Sequence, residues 1–233
     1  MSNSDKNDNS LIHVGSTGLA KVNNALRITE NLLQTIDSVV IGEQEWMTRN
    51  LNVSRFRNGD LIPEVRDDDE WAKAGKEGRP AWCYYDNDPE NGKTYGKLYN
   101  WYAVNDSRGL APKEWRVPNE SDWELLISYL GGKELTGGKL KITGTEFWGT
   151  GFCSYRENLA NNCTGFSALP NGFRFKNGPF DSIGELSWIW SESDYADVYV
   201  AKNNNEYINV VQFSKSDGYA VRCLRPKSLE LNT

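Results

Sequence analysis

The sequence predicts an α+β fold of short strands, one principal helix and long loops, preceded by an N-terminal amphipathic helix. Three observations predict it. Only 38% of the 233 residues are hydrophobic, yet the chain holds nine Trp, eleven Tyr and eight Phe. Aromatic side chains bury so much area each that a sizeable core remains within reach. Twenty-one Gly and eight Pro punctuate the chain too often for a helical bundle. Near the middle, one stretch carries a full set of helix start and stop signals.

Taken in order, Met1–Ser10 and the residues up to 18 are polar and rich in Asn, Ser and Gly, with the short apolar island Leu11-Ile-His-Val14. Such a segment buries too little to order itself alone. It has no apolar core of the secretory type, so the sequence reads as a product made in a cytoplasm and either kept there or released by lysis. Leu19, Val22, Leu26, Thr29, Leu33 and Ile36 then recur at spacings of three and four, the stripe of an amphipathic helix. Fewer than three heptads do not sustain a coiled coil unaided. Two readings stay open: a helix docked on its own domain, or one that pairs with a copy or an anchor. Leu19, Val22, Leu26, Leu33 and Ile36 are the candidate oligomerisation and anchoring residues.

From Val39 the pattern changes to strands and turns. Ser38–Gly42 and Glu45–Met47 read as a hairpin, and Arg57-Asn-Gly-Asp60 as a turn. Asp67-Asp-Asp-Glu70 ahead of Trp71–Ala74 places acids at the positive end of a short helix. That run lacks the alternating ligands and Gly of a calcium loop. Asp86–Gly92 reads as a loop. Pro118–Gly132 is the principal helix, capped by Asn119 or Ser121, with Trp123, Leu126, Ile127 and Leu130 on its apolar face and Gly131-Gly132 ending it. Gly-punctuated segments follow. Trp188–Trp190, Asp197–Val200, Tyr207–Phe213 and Gly218–Arg225 read as strands.

Net charge is −6 and no Lys/Arg block occurs, which argues against nucleic acid as a partner. No stretch approaches 18 apolar residues, so no membrane insertion is expected. Cys83, Cys153, Cys163 and Cys223 have no C-x-x-C spacing, and the chain has one histidine, His13. No metal and no cofactor are expected. Free thiols are favoured, although Cys153 and Cys163 could close a short loop. With one histidine in a polar tail, no Ser/His/Asp or Cys/His constellation can be built, and no phosphate-cradling glycine motif appears. An enzyme is not expected.

An ordered set of motifs is more specific than any of these features. It runs Val40-Ile-Gly-Glu-Gln-Glu-Trp-Met-Thr-Arg-Asn-Leu-Asn-Val53, Arg57–Asp60, Tyr95-Gly-Lys-Leu-Tyr-Asn-Trp-Tyr-Ala-Val104 and Trp115-Arg-Val-Pro118. It continues through Asp122-Trp-Glu-Leu-Leu126, Tyr129–Gly132, Gly165-Phe-Ser-Ala-Leu-Pro170, Trp190-Ser191 and Tyr219-Ala-Val-Arg-Cys223. The set resembles the Fibrobacter succinogenes major paralogous domain, over residues 39–225. Residues 1–38 and 226–233 lie outside it as tails. The resemblance extends to the C-type-lectin-like superfamily and implies a domain whose ends pair, with long loops on one face. The calcium-dependent sugar triplets of C-type lectins are missing, as is the reactive cysteine pair of formylglycine-generating enzymes. Many relatives carry Cys where Ala111 stands, matched to Cys223.

What the resemblance implies for function is display or binding. The leading expectation is a bacteriophage structural protein, a head or tail fibre component of the virion made in the host cytoplasm. It would be a homo-oligomer, dimer or trimer, attached to other virion proteins through residues 1–36 and presenting residues 39–225 to a host glycan or surface receptor. A bacterial cell-surface or accessory binding protein is the alternative, and an enzyme of the formylglycine-generating type the third. The candidate contact residues are Ser191, Asp194, Tyr195, Asn203, Asn204, Asn205 and Tyr207, whose Tyr/Asn/Ser mix suits an adaptable surface. Asn203–Asn205 also reads as a plain hairpin turn. The tryptophans read as core rather than as sugar platforms.

Overall fold

The computed structural model describes residues 36–144, 146–148, 160–193, 195–202 and 205–227. The tail, Leu19, Val22, Leu26 and Leu33 of the apolar stripe, Cys153, Asp194, Asn203 and Asn204 lie outside the described residues. The chain divides into two units, 1–36 and 37–233. Of the stripe, Ile36 is described: it is half-buried and belongs to neither a helix nor a strand.

The expected hairpin is present. Strands β1 (Ser38–Ile41) and β2 (Gln44–Met47) pair from Ser38↔Met47 to Ile41↔Gln44, turning at Gly42 with φ +63. Helix α1 (Asp68–Lys76) is capped by Asp67, whose carboxylate accepts from Glu70 N–H at 3.0 Å. The acidic run is therefore a helix start, with Asp68 also paired to Arg174 at 2.7 Å. Strand β3 (Trp82–Cys83), a 3₁₀ turn at Tyr85–Asn87, α2 (Pro89–Tyr95), β4 (Leu98–Asn100) and the short α3 (Trp101–Val104) follow.

Helix α2 corrects the expectation of a loop over Asp86–Gly92. Asp88 caps it, accepting from Glu90 N–H at 2.9 Å, and Pro89 occupies its first position. The Asp-Pro-Glu start outweighs the local Asn/Gly composition. Gly92 then lets the helix settle on Tyr84, whose ring lies 2.2 Å from where a Cβ would stand.

The principal helix is α4 (Glu120–Tyr129). Asn119 Oδ1 accepts from Asp122 N–H (3.0 Å) and Asp122 Oδ2 from Asn119 N–H (2.9 Å), a reciprocal capping box. Arg116 grips both oxygens of the same carboxylate. Trp123, Leu126, Ile127 and Leu130 are buried, as their spacing predicts. Helix α5 (Lys133–Leu140) was not legible, because its two central glycines argue against a helix. A Cβ at Gly137 would stand 2.3 Å from the Tyr207 carbonyl oxygen, so close packing requires what propensity disfavours.

The remaining strands are β5 (Asn171–Arg174), β6 (Phe180–Ile183), β7 (Leu186–Trp190), β8 (Asp197–Lys202), β9 (Ile208–Gln212), β10 (Gly218–Tyr219) and β11 (Leu224–Pro226). They form three antiparallel sheets, ordered β1-β2-β11, β3-β4-β10-β5-β6 and β7-β8-β9. The first joins the two ends of the domain, as the resemblance implies. The continuous strand expected over Gly218–Arg225 is instead two strands in two sheets. Between them Ala220 bonds to Trp188 and Trp190, the Val221 carbonyl accepts from Leu51, and the Cys223 carbonyl accepts from Met47. The segment thus stitches all three sheets together.

The main core gathers Trp46, Trp123, Phe166, Tyr199, Leu126 and Leu224, with Trp123 stacked on Tyr199 at 4.3 Å and Trp46 tilted against both Trp123 and Phe166. A smaller core holds Trp71, Cys83, Tyr85 and Leu98. The expectation that tryptophans are core residues holds for those described by these clusters. Cys83 and Cys223 are buried free thiols, each pushed up to about 12 by burial, and Cys163 is free and exposed.

Candidate functional site

The candidate contact residues separate into two groups at opposite ends of one strand. Ser191 and Tyr195 precede β8, while Asn205 and Tyr207 follow it. Five residue steps along β8 put the ends about 17 Å apart. The expectation of a single Tyr/Asn surface is corrected accordingly: a strand intervenes, and the two described groups are carried to opposite ends of it.

At the first end, Tyr195 is 72% exposed. The loop that carries it is tied down on both sides. Ser191 N–H donates to the Asp197 carbonyl (2.9 Å), Ser193 Oγ accepts from Asp197 N–H (3.0 Å), and Trp101 Nε1–H donates to the Ser193 carbonyl (3.1 Å). Ala196 closes the turn at φ +57. Ser191 is not a surface residue but fully buried, its hydroxyl donating to the Pro118 carbonyl at 3.2 Å. A Ser at a strand end reads as polar surface; only tertiary packing reveals that it closes the gap to the start of α4.

Residues that sequence reasoning did not single out frame this end. Trp101 N–H donates to the Lys215 carbonyl (3.0 Å), and Lys215 Nζ lies 4.0 Å over the Trp101 ring. Phe213 follows β9 at the same end of the sheet. It is 42% exposed and edge-on to Trp188 at 5.3 Å. The alternation of the Tyr207–Phe213 run gave a signal for a strand but none for this neighbourhood.

The second end rests on a buried ammonium. Lys141 is fully buried and donates from Nζ to the carbonyls of Lys202 (2.9 Å) and Asn205 (2.8 Å), with the Trp148 ring 5.3 Å away. Burial pushes its amine down to about 8. Asn205 Oδ1 accepts from Tyr207 N–H (3.0 Å), the bond expected of a turn residue. Tyr207 is 49% exposed. Nothing in the spacing around Lys141 announces this role.

A second buried amine, Lys97, lies in the Tyr95–Val104 motif. Its Nζ donates to Ser54 Oγ (2.6 Å) and sits 3.9 Å over the Trp82 ring, and burial pushes it down to about 8. Arg222 is clamped by Asn50 Oδ1 (2.7 and 3.0 Å) and by the carbonyls of Thr48 and Phe166. These cations are bound by the chain itself and brace the scaffold. Among the described residues no three His, Cys, Asp or Glu side chains converge as metal ligands.

No curated protein and no solved structure matches the chain. The sequence profile of the Fibrobacter succinogenes major domain does match, over residues 39–225, which takes in both cores and all of the three sheets but the first residue of β1 and the last of β11. By that match the chain belongs to the Fibrobacter succinogenes major domain family.

Proposed function

We propose that residues 39–225 are a non-catalytic, C-type-lectin-like display domain that presents the Tyr195 loop to a host-surface glycan or receptor. In this reading the protein is a structural component of a bacteriophage virion appendage, and residues 1–36 attach or oligomerise it. The observation that carries the reading is the tyrosine, largely exposed on a loop tied at both ends to buried elements. A loop already held in place loses little entropy on binding, and tyrosine supplies contact area at a low rotamer cost. The pairing of β2 with β11 supports the lectin-like assignment, since it closes the domain at its ends. The polar tail and apolar stripe support attachment, because each needs a partner to bury against.

Binding of the full chain to host envelope fractions and to a glycan array tests this. Tyr195→Ala is expected to weaken binding at least ~10-fold while the melting temperature stays within a degree or two. Binding that survives the substitution, or no binding of the wild type to any envelope fraction, overturns the assignment of the loop. Genes for capsid and tail proteins beside this one are expected; polysaccharide-utilisation genes there would favour a bacterial surface protein.

A further inference from the structure

Strand β9 lies at the edge of its sheet, and the run Tyr207-Ile-Asn-Val-Val-Gln-Phe213 contains no charge, Pro or Gly. Its open side follows from the hydrogen bonds. Trp190 N–H donates to the Ala220 carbonyl and Ala220 N–H to the Trp188 carbonyl, so Ile189 is the β7 residue that faces Tyr199 of β8. Alternation along β8 then directs Val198 and Val200 toward Val211 and Asn209. Val210 and Gln212 turn their N–H and C=O groups out of the sheet, with no further partner among the described residues. Ile208 shares their direction but is buried, beside the Tyr207 carbonyl that abuts Gly137 of α5.

Among the described residues the edges at β3, β11 and β6 are covered or interrupted. The segment around Pro63–Val65 covers β3, and Arg116 pairs with Leu224 of β11. Pro179, Asp181 and the positive φ of Ser182 interrupt β6. Beyond Ile208, β9 has none of these devices among the described residues, and Val210 and Phe213 are 37% and 42% exposed along the run. An uncharged, apolar, unshielded edge is a template for another strand.

We propose that β9 pairs antiparallel with β9 of a second copy of this chain, about a two-fold axis at Val211. Val210 of each copy then faces Gln212 of the other, and each such pair exchanges two main-chain hydrogen bonds. Asn209 faces Phe213, and Val211 meets its own copy as a close side-chain pair. A second copy is the occupant because a two-fold axis sets every residue against one from the same strand. The absence of charge from 207–213 removes the like-charge repulsion that would otherwise oppose this. The paired β7-β8-β9 sheets become one continuous sheet across the dimer.

Cross-linking of the full chain tests the register. Val211→Cys is expected to give an intermolecular disulfide under mild oxidation at a yield at least ~10-fold above the wild type, whose exposed Cys163 sets the background. Val210→Pro removes an outward N–H and no bond within the subunit. It is expected to raise the dimer dissociation constant at least ~10-fold in sedimentation equilibrium, and Gln212→Lys, which adds charge without touching the backbone, to do the same. A Val211→Cys yield at background, or a dissociation constant that Gln212→Lys leaves unchanged in a folded protein, overturns the proposal.

Discussion

The two ends of β8 are secured by different chemistry. The Tyr195 end is held by neutral hydrogen bonds from Ser193, Trp101 and Ser191, spread over three partners. At the Asn205 end the Lys141 ammonium reaches two carbonyls from inside the fold, beside neutral bonds from Gly138 N–H to the Glu206 carbonyl and from Tyr207 N–H to Asn205 Oδ1. A distributed neutral clamp loses little when one member is removed and does not change with pH. A buried cation that holds two carbonyls concentrates much of the dependence on one side chain and makes it titratable. The difference suits a presenting loop at one end and a structural turn at the other.

The largest effect that would break this contrast is at the helix beneath the turn. Gly137→Ala forces a Cβ to within 2.3 Å of the Tyr207 carbonyl. It is expected to cost about 2–4 kcal/mol in urea unfolding, despite the helix propensity gained. Lys141→Met strands the Lys202 and Asn205 carbonyls and is expected to cost about 2–3 kcal/mol at pH 7. Ser193→Ala, which leaves the Asp197 N–H without its acceptor, is expected to cost about 1 kcal/mol. If Ser193→Ala proved as damaging as Lys141→Met, the distinction between distributed and concentrated clamps would fail.

The pH dependence sharpens it further. The folded-state value of Lys141 is pushed down to about 8, from 10.5 in the unfolded chain. Below pH 8 both states hold the proton and stability has no slope from this group. Above it the unfolded chain binds more protons, so stability rises with pH. Relative to Lys141→Met, the wild type is expected to gain about 1 kcal/mol between pH 7 and pH 9. Taking the difference between the two proteins cancels Lys97 and the thiols, which titrate in both. A flat difference would mean that Lys141 keeps its charge throughout. Smallest of all, Tyr195→Ala is expected to move stability by no more than about 0.5 kcal/mol, since its side chain faces solvent.

How far each element was legible depends on where its information lies. The hairpin β1–β2, the capped helix α4 and its apolar face were readable because turn, cap and periodicity are local. Helix α2 was missed although its Asp88-Pro89-Glu90 start is a local signal, because the surrounding Asn and Gly pointed to a loop. Helix α5 could not be read at all, since Gly137 is explained only by the backbone of Tyr207, seventy residues on. The same holds for Ser191, a polar residue buried against Pro118, and for Lys141. Composition singled out Tyr195 and Tyr207 as candidates, but it could not say that a strand lies between them.

The sequence by itself determined the family, the α+β class, the hairpin, the main helix and the aromatic filling of the core. Each of these follows from neighbours a few residues apart or from the bulk of side chains. Tertiary structure alone decided that Gly218–Pro226 would cross from one sheet to another, and that the candidate contact residues Tyr195 and Tyr207 would lie at opposite ends of β8. It also decided that β9 would stand at the edge of its sheet. These outcomes depend on which distant backbone groups meet, and a hydrogen bond between residues far apart in the chain leaves no mark in local composition.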